Sequence, residues 1–278
     1  MIIVWVIMVI LILWLIIIII RRTFLSIGLK YITLNNLVHL DNPFHIDTIK
    51  NIEDFQLSAK PIPSCLEWIR LCYIFSKNNE LITPDIVELV ASFQELCYVF
   101  KDVETNKLFI IFRGTLSIED IISDLNNTQT VFHDNLYVHS GFLTVYMKMQ
   151  TDLMGLLKTL SPSSVMITGH SLGGALAMIL TADILAKTDW KPIVYTFGCP
   201  RVGDGNFVQY LHSKKLECYR VINYEDVVPQ FPLPVTLRML NPRKPFFFEH
   251  YGTVIAFSQN LKSLSNNHSI FTYYQNLK

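Results

Sequence analysis

No charge of one sign dominates this sequence: 23 lysines and arginines stand against 23 aspartates and glutamates, a formal net charge of zero. Without a basic excess there is no electrostatic footprint for nucleic acid, and no nucleic-acid partner is expected. Cysteine is scarce and odd in number. Cys65, Cys72, Cys97, Cys199 and Cys218 form no C-x-x-C pair, which argues against a metal site and a disulfide framework and leaves buried thiols as the expectation. After Arg22 there is no internal repeat and no low-complexity tract, which excludes solenoid arrays. Apolar residues, by contrast, make up 51% of the 278 residues, enough for one large α/β domain and an appendage.

The appendage is the start of the chain. Every residue from Met1 to Ile20 is apolar and Arg21-Arg22 ends the run. At about 1.5 Å per residue this spans the core of a bilayer. No Lys or Arg precedes the run, and the only cleavage-like triplet is Ser26-Ile27-Gly28, so an uncleaved anchor over residues 1–22 is favoured over a secretory signal. Arg21, Arg22 and Lys30 all follow the span, and the positive-inside rule then puts the body of the protein in the cytosol, with secretion after signal cleavage as the alternative. The sequons Asn126-Asn127-Thr128 and Asn267-His268-Ser269 bear on this, because a glycan on the second would obstruct the catalytic residues assigned to that end of the chain. Residues 23–63 read as a connector that packs on the domain, and residues 64–278 as that domain.

Within it, Cys65, Trp68, Ile69, Cys72 and Tyr73 share a helix face, and a second helix is predicted from Pro84-Asp85. Cys97–Phe100 and Leu108–Phe112 flank a polar insert and predict a β-hairpin. Ile118, Ile121, Ile122 and Leu125, with acids between them, predict a short amphipathic helix. One short strand is expected between Val131 and Gly141, then a long helix from Thr144 to Leu160. Strands are predicted at Ile193–Phe197 and Leu216–Ile222, with a helix opened by Asp204 or Gly205 between them. Alternating strands and helices mean a mostly parallel sheet covered on both faces.

The chemistry centres on Val165–Thr168 leading into Gly169-His170-Ser171-Leu172-Gly173-Gly174, with an Ala- and Leu-rich helical run to about Lys187. By composition alone a G-x-S-x-G arises by chance in about three such chains in a hundred. Strand, tight turn and helix together are the setting in which the motif exposes a nucleophilic serine, its glycines removing side chains that would collide with the turn. A serine hydroxyl needs a base, and the base a carboxylate to orient it. In chain order after Ser171 the acid is Asp226, past the strand ending at Ile222, with the adjacent Glu225 as fallback. The base is His268 in a polar loop before an aromatic helix, favoured over His250 at a strand start. His170 points away from the nucleophile, and His139 reads as structural. Oxyanion donors are expected from the amide of Leu172 and from Thr115, which comes after the strand exit Arg113-Gly114. The amphipathic helix after Thr115 would cover the site.

These residues resemble the class 3 lipase family, the fungal-type lipases of the α/β-hydrolase fold. Five motifs match in order: Phe112–Thr115, Val138–Phe142, Gly169–Gly174, Thr196–Gly203 and Asp226–Pro229, and with the C-terminal histidine they cover roughly residues 64 to 275. The resemblance implies Ser171 as nucleophile, Asp226 as acid, His268 as base, Thr115 as the hydroxyl of the oxyanion site, and residues 116 to about 124, with Ile118, Ile121 and Ile122, as a lid. It implies hydrolysis of carboxylic esters in acylglycerols or related lipids through an acyl-serine, with no cofactor or metal; the N-terminal anchor would hold that activity at a membrane. An esterase, thioesterase or peptidase on the same fold, or an inactive lipase-fold interaction protein, are the alternatives. The N-terminal apolar run and the lack of a disulfide pattern depart from secreted members.

Overall fold

The computed structural model describes residues 87–114, 128–236 and 246–277, all within the compact unit from Ile46 to Lys278. The apolar run at 1–22, the connector, the helix at 64–75, Thr115 and the lid residues Ile118, Ile121 and Ile122 lie outside the described residues. Among the described residues no helix is long and apolar enough to cross a membrane.

Three strands in antiparallel succession open the sheet: β1 (Val87–Phe93), β2 (Cys97–Asp102) and β3 (Lys107–Phe112). The expected hairpin is β2–β3. Its turn closes on the Asp102 carboxylate, which accepts from the amides of Glu104 and Thr105 at 3.0 and 2.9 Å, and Asn106 takes the left-handed conformation that turns require (φ 55°). The start of the helix predicted from Pro84-Asp85 lies outside the described residues, but its continuation is not helical. Val87–Phe93 is a strand, held in register by β2 through a turn in which Gln94 and Glu95 both have positive φ. A bulge between Leu89 and Ala91 breaks its alternation, so the sequence lacks the two-residue period of a strand there.

From β3 the sheet continues in parallel through β6 (Ser164–His170), β7 (Ile193–Phe197), β8 (Glu217–Asn223) and β11 (Thr253–Phe257), in spatial order β1-β2-β3-β6-β7-β8-β11. Parallel strands are buried on both faces, and their side chains divide between two cores. Val194 and Ile167 join one cluster, while Tyr195 and Phe197 join the other with Val221, Ile255 and Tyr273.

On the first face lie α1 (Ser140–Met147), α2 (Gln150–Leu160) and α3 (Leu172–Lys187). The single helix expected over Thr144–Leu160 is two. The Lys148 carbonyl is taken by the side-chain amide of Gln94 at 3.2 Å, and Met149 leaves helical geometry (ψ −9°) with its side chain buried. Helix α3 is buried at every position from Gly173 to Leu185, the mark of a central helix with no solvent face. Two short strands, β4 (Gln129–His133) and β5 (Leu136–His139), pair where one was expected.

Helix α4 (Gly205–Ser213) opens on Asp204, whose carboxylate accepts from the Phe207 amide at 2.9 Å. Strands β9 (Val235–Thr236) and β10 (Phe246–Phe247) form a small separate ladder. The chain ends in α5 (Leu264–His268) and α6 (Ile270–Asn276), the latter covering the second face through Tyr273. His268 therefore closes a single helical turn instead of sitting in an open loop.

Candidate active site

At the end of β6 the backbone turns into α3 through Ser171, held at φ 58° and ψ −129°, a conformation that disfavours any side chain. Two contacts enforce it. The Ser171 amide donates to the Phe197 carbonyl of β7 at 2.9 Å, and its own carbonyl accepts from Gly174 at 2.9 Å. The approach of α3 to the sheet admits no side chain at its first turn. A Cβ on Gly169 would fall 2.2 Å from the Gly173 carbonyl oxygen, and one on Gly173 2.2 Å from that of Phe112. The two glycines thus do what the motif requires of them. The Leu172 amide opens α3, where helix geometry supplies no acceptor within the helix.

Asp226 comes just after β8, its amide donating to the Asn223 carbonyl at 2.9 Å. Its carboxylate is buried and fully engaged. Oδ1 accepts from the Val228 amide at 2.9 Å, and Oδ2 accepts from His268 Nδ1 at 2.7 Å and from the Tyr273 hydroxyl at 2.6 Å. A carboxylate only accepts, so His268 Nδ1 carries a proton and Nε2 is left as the ring's other polar atom. Two buried side-chain atoms here have no hydrogen-bond partner: His268 Nε2 and Ser171 Oγ. A buried polar atom left unmatched is costly, and such atoms gather where a reacting molecule supplies the missing contact.

Of the alternatives that the sequence left open, Glu225 turns the other way, its oxygens accepting from Ser258 Oγ and Asn260 Nδ2 at 3.3 and 2.9 Å. His250 donates through Nε2 to the Pro229 carbonyl at 2.8 Å, and His139 is buried against Phe142, their ring centroids 4.3 Å apart. The structure brings Ser171, Asp226 and His268 to one sheet edge and keeps Glu225, His250 and His139 out of the pairing. Gly114, just before Thr115, abuts the elbow, since a Cβ there would sit 3.2 Å from Ser171 Cβ.

Three residues of the site were not singled out from the sequence. Tyr273 donates to Asp226 and accepts from the Asn223 amide at 3.1 Å. Burial, reinforced by the adjacent Asp226 carboxylate, pushes its phenol well above the ordinary range and keeps it a donor. Asn223 and Asn267 clasp the two loops. Asn223 Nδ2 donates to the Asn267 carbonyl, and Asn267 Nδ2 to the Glu225 carbonyl, each at 3.0 Å. A signal existed only for Tyr273, which lies five residues after the favoured histidine in an aromatic helix. Among the described residues no group of acids, histidines and cysteines has the arrangement of a metal site.

A serine at a strained strand-to-helix turn on a mostly parallel sheet, with an Asp–His pair beyond a later strand, defines the α/β-hydrolase fold. Residues 109–236 match the family model described as lipase (class 3). It is 34% identical to a lipase of Rhizomucor miehei over 135 residues, 45% of this chain and 37% of that protein. It is 30% identical to secreted mono- and diacylglycerol lipase 1 of Fusarium solani over 141 residues, 49% of this chain and 42% of that protein. The match thus spans well under half the length of these curated relatives. Among solved structures, the Rhizomucor miehei lipase–propeptide complex aligns with a TM-score of 0.59 at 22% identity, covering 79% of this chain and 80% of that one. A lipase from Rhizopus microsporus var. chinensis aligns with a TM-score of 0.56 at 22% identity, covering 79% and 82%. At these identities the likeness is one of fold.

Proposed function

We propose that the chain is a serine hydrolase that cleaves carboxylic ester bonds of acylglycerols or related lipids through an acyl-Ser171 intermediate. The observation that carries this reading is the pair of unpartnered buried atoms, Ser171 Oγ and His268 Nε2, on an elbow serine and on a ring already oriented by Asp226. His268 Nε2 takes the proton of Ser171 as Oγ attacks the ester carbonyl. Asp226 retains its hold on the Nδ1 proton and stabilises the imidazolium that forms. The oxyanion is received by the Leu172 amide and by Thr115, and residues 116 to 124, with Ile118, Ile121 and Ile122, act as the lid. His268 then protonates the leaving alcohol, and water repeats the sequence on the acyl-enzyme to release the acid. Names of the relatives, lipase and mono- and diacylglycerol lipase, support a lipid ester as substrate.

Residues 1–22 anchor this domain to a membrane and the domain faces the cytosol. The apolar run and the basic residues after it support that topology, and so does the sequon at Asn267. Its Nδ2, the atom a glycan would modify, is spent on the Glu225 carbonyl, and the residue is buried. Protection of the domain from added protease inside sealed cells tests the topology.

The experiment for the activity is hydrolysis of short- and long-chain acylglycerols and phospholipids by the full chain, beside Ser171→Ala. Long-chain cleavage lost in the variant is the expected result. Cleavage restricted to short soluble esters would replace lipase by esterase, and no cleavage or fluorophosphonate labelling by folded protein would overturn the reading.

A further inference from the structure

His170 stands between the elbow glycine and the nucleophile, and its ring takes no part in the proton path from Ser171 to His268. Its Nε2 lies 2.8 Å from the backbone carbonyl oxygen of His268, across 98 residues of sequence. A carbonyl only accepts, so His170 donates and its tautomer is fixed with the proton on Nε2. The two imidazole rings lie with centroids 4.6 Å apart, and His170 also meets the Tyr273 ring edge-on at 5.7 Å. The other side of the ring is closed by the β3 exit, since a Cβ on Gly114 would come within 3.1 Å of His170 Nδ1. The ring is thus gripped between the strand that leads to the oxyanion site and the residue that carries the base.

We propose that His170 is a positioning residue that sets the base against the nucleophile by binding the backbone of His268. The proposal rests on the reading of Ser171 as nucleophile and His268 as base. The Asp226 bond holds the Nδ1 end of His268 but leaves a pivot about that contact, and the opposite edge of the ring must still meet Ser171 Oγ. A second hold on the same residue, at its carbonyl, removes that freedom. It is made by the immediate chain neighbour of Ser171, so nucleophile and base are registered through one peptide unit and one hydrogen bond instead of through the breadth of the sheet. Desolvation, reinforced by the neighbouring His268, holds His170 well below the ordinary histidine range. It therefore stays neutral and adds no opposing charge when His268 becomes an imidazolium.

The test compares His170→Phe, which keeps a ring and loses the donor, with His170→Gln, whose amide nitrogen reaches toward the place of Nε2. Full-length variants are measured for thermal midpoint, for kcat and KM on a soluble ester, and for the rate of fluorophosphonate labelling of Ser171. Misplacement of a reacting group by about 1 Å costs on the order of 100-fold. The expected result for Phe is therefore a fall of about 10- to 100-fold in kcat and in labelling rate, with KM within about twofold. Gln is expected to restore both to within about threefold of wild type. If Phe does not fold, His170→Asn, too short to reach the carbonyl, takes its place as the variant without this hydrogen bond. Such a variant with wild-type kcat, or Gln no better than it, would overturn the proposal. A wild type that neither labels nor hydrolyses overturns the Ser171–His268 reading itself, a result distinct from either.

Discussion

Helix α3 carries one charged residue deep in its apolar run, Asp183, and its replacement is expected to be among the costliest single changes outside the site. Its carboxylate is fully buried. Oδ2 accepts from the Tyr146 hydroxyl at 2.7 Å and Gln150 Nε2 at 2.8 Å, and Oδ1 from His133 Nε2 and Lys187 Nζ, both at 2.8 Å. These donors come from β4, α1, α2 and the next turn of α3, so one side chain ties four pieces of the first face together. Asp183→Ala strands the buried Tyr146 hydroxyl and the part-buried Gln150 amide, while Lys187 and His133, 37% and 26% exposed, can turn to water. Removing one partner of a buried charged cluster costs about 3–5 kcal/mol, roughly a fifth or more of the stability of an ordinary domain. Asp183→Asn keeps the shape and lets Tyr146 and Gln150 reorient, so about 1–3 kcal/mol is expected. Desolvation raises the Asp183 carboxyl, but hydrogen bonds from Lys187, Tyr146, Gln150 and His133 outweigh it and hold the group below its ordinary value of 3.8. A carboxyl with a depressed folded pKa contributes stability at pH above its unfolded value, and that contribution is lost as pH falls through the folded one. The wild-type advantage over Asp183→Asn is therefore full at pH 7 and shrinks below about pH 4. Urea unfolding of wild type, Ala and Asn variants at pH 7, 5 and 3.5 measures it. A cost below about 1 kcal/mol for Ala, or a wild-type-to-Asn gap that does not change with pH, would refute the reasoning.

Ser171→Ala is expected to lower ester hydrolysis by about 10⁴- to 10⁶-fold with an unchanged thermal midpoint, read by a fluorogenic ester and a melting scan. Gly173→Ala puts a Cβ 2.2 Å from the Phe112 carbonyl oxygen and 2.8 Å from that of Arg113, both backbone, so about 3 kcal/mol or more of stability is lost; a melting point near wild type would show that the elbow can shift. Tyr273→Phe removes a donor to Asp226 and strands the Asn223 amide, at about 1.5–3 kcal/mol by urea unfolding, with less than about 0.5 kcal/mol arguing that the clasp tolerates its loss. Burial pushes the Cys218 thiol up to about 12, so at pH 8 its thiolate fraction is about 10⁻⁴ and alkylation is expected only after unfolding; rapid labelling of native protein would contradict the buried placement.

The elbow was legible because everything it requires is local: a β-rich lead, glycines two before and two after the serine, and a helix former next. Strand β7 and the N-cap Asp204 were legible for the same reason. The proposed acid and base were read as residue types in a chain order, but the pairing of His268 with Asp226 and not Glu225 depends on which side of the post-β8 segment faces the elbow. Asn223 contributes to that turn, its Oδ1 accepting from the Glu225 amide at 3.2 Å. The break at Lys148–Met149 leaves a carbonyl that Gln94, 54 residues earlier, meets, and the strand identity of Val87–Phe93 depends on its pairing with β2. Asp183 reads in sequence as one polar residue in an apolar helix. Its four donors are distributed from residue 133 to residue 187, and local pattern carries no trace of them.

His268, the proposed base, is buried, but exposed residues flank it on both sides. Leu264 and Phe271, on either side of His268, are each about half exposed, and α5 is a single turn with little packing of its own. A base on such an element would wander if the Asp226 contact alone held it. Successive residues of the two loops instead bind one another: Asn223 to the 267 carbonyl, Asn267 to the 225 carbonyl, and Asp226 to the 268 ring. His170 then holds the 268 carbonyl from the elbow. Each of these contacts is buried or partly buried, and each uses an atom of residue 267 or 268. The ladder fixes the orientation of one ring from four directions, and the only polar atom of that ring left unmatched is the one that faces the proposed chemistry.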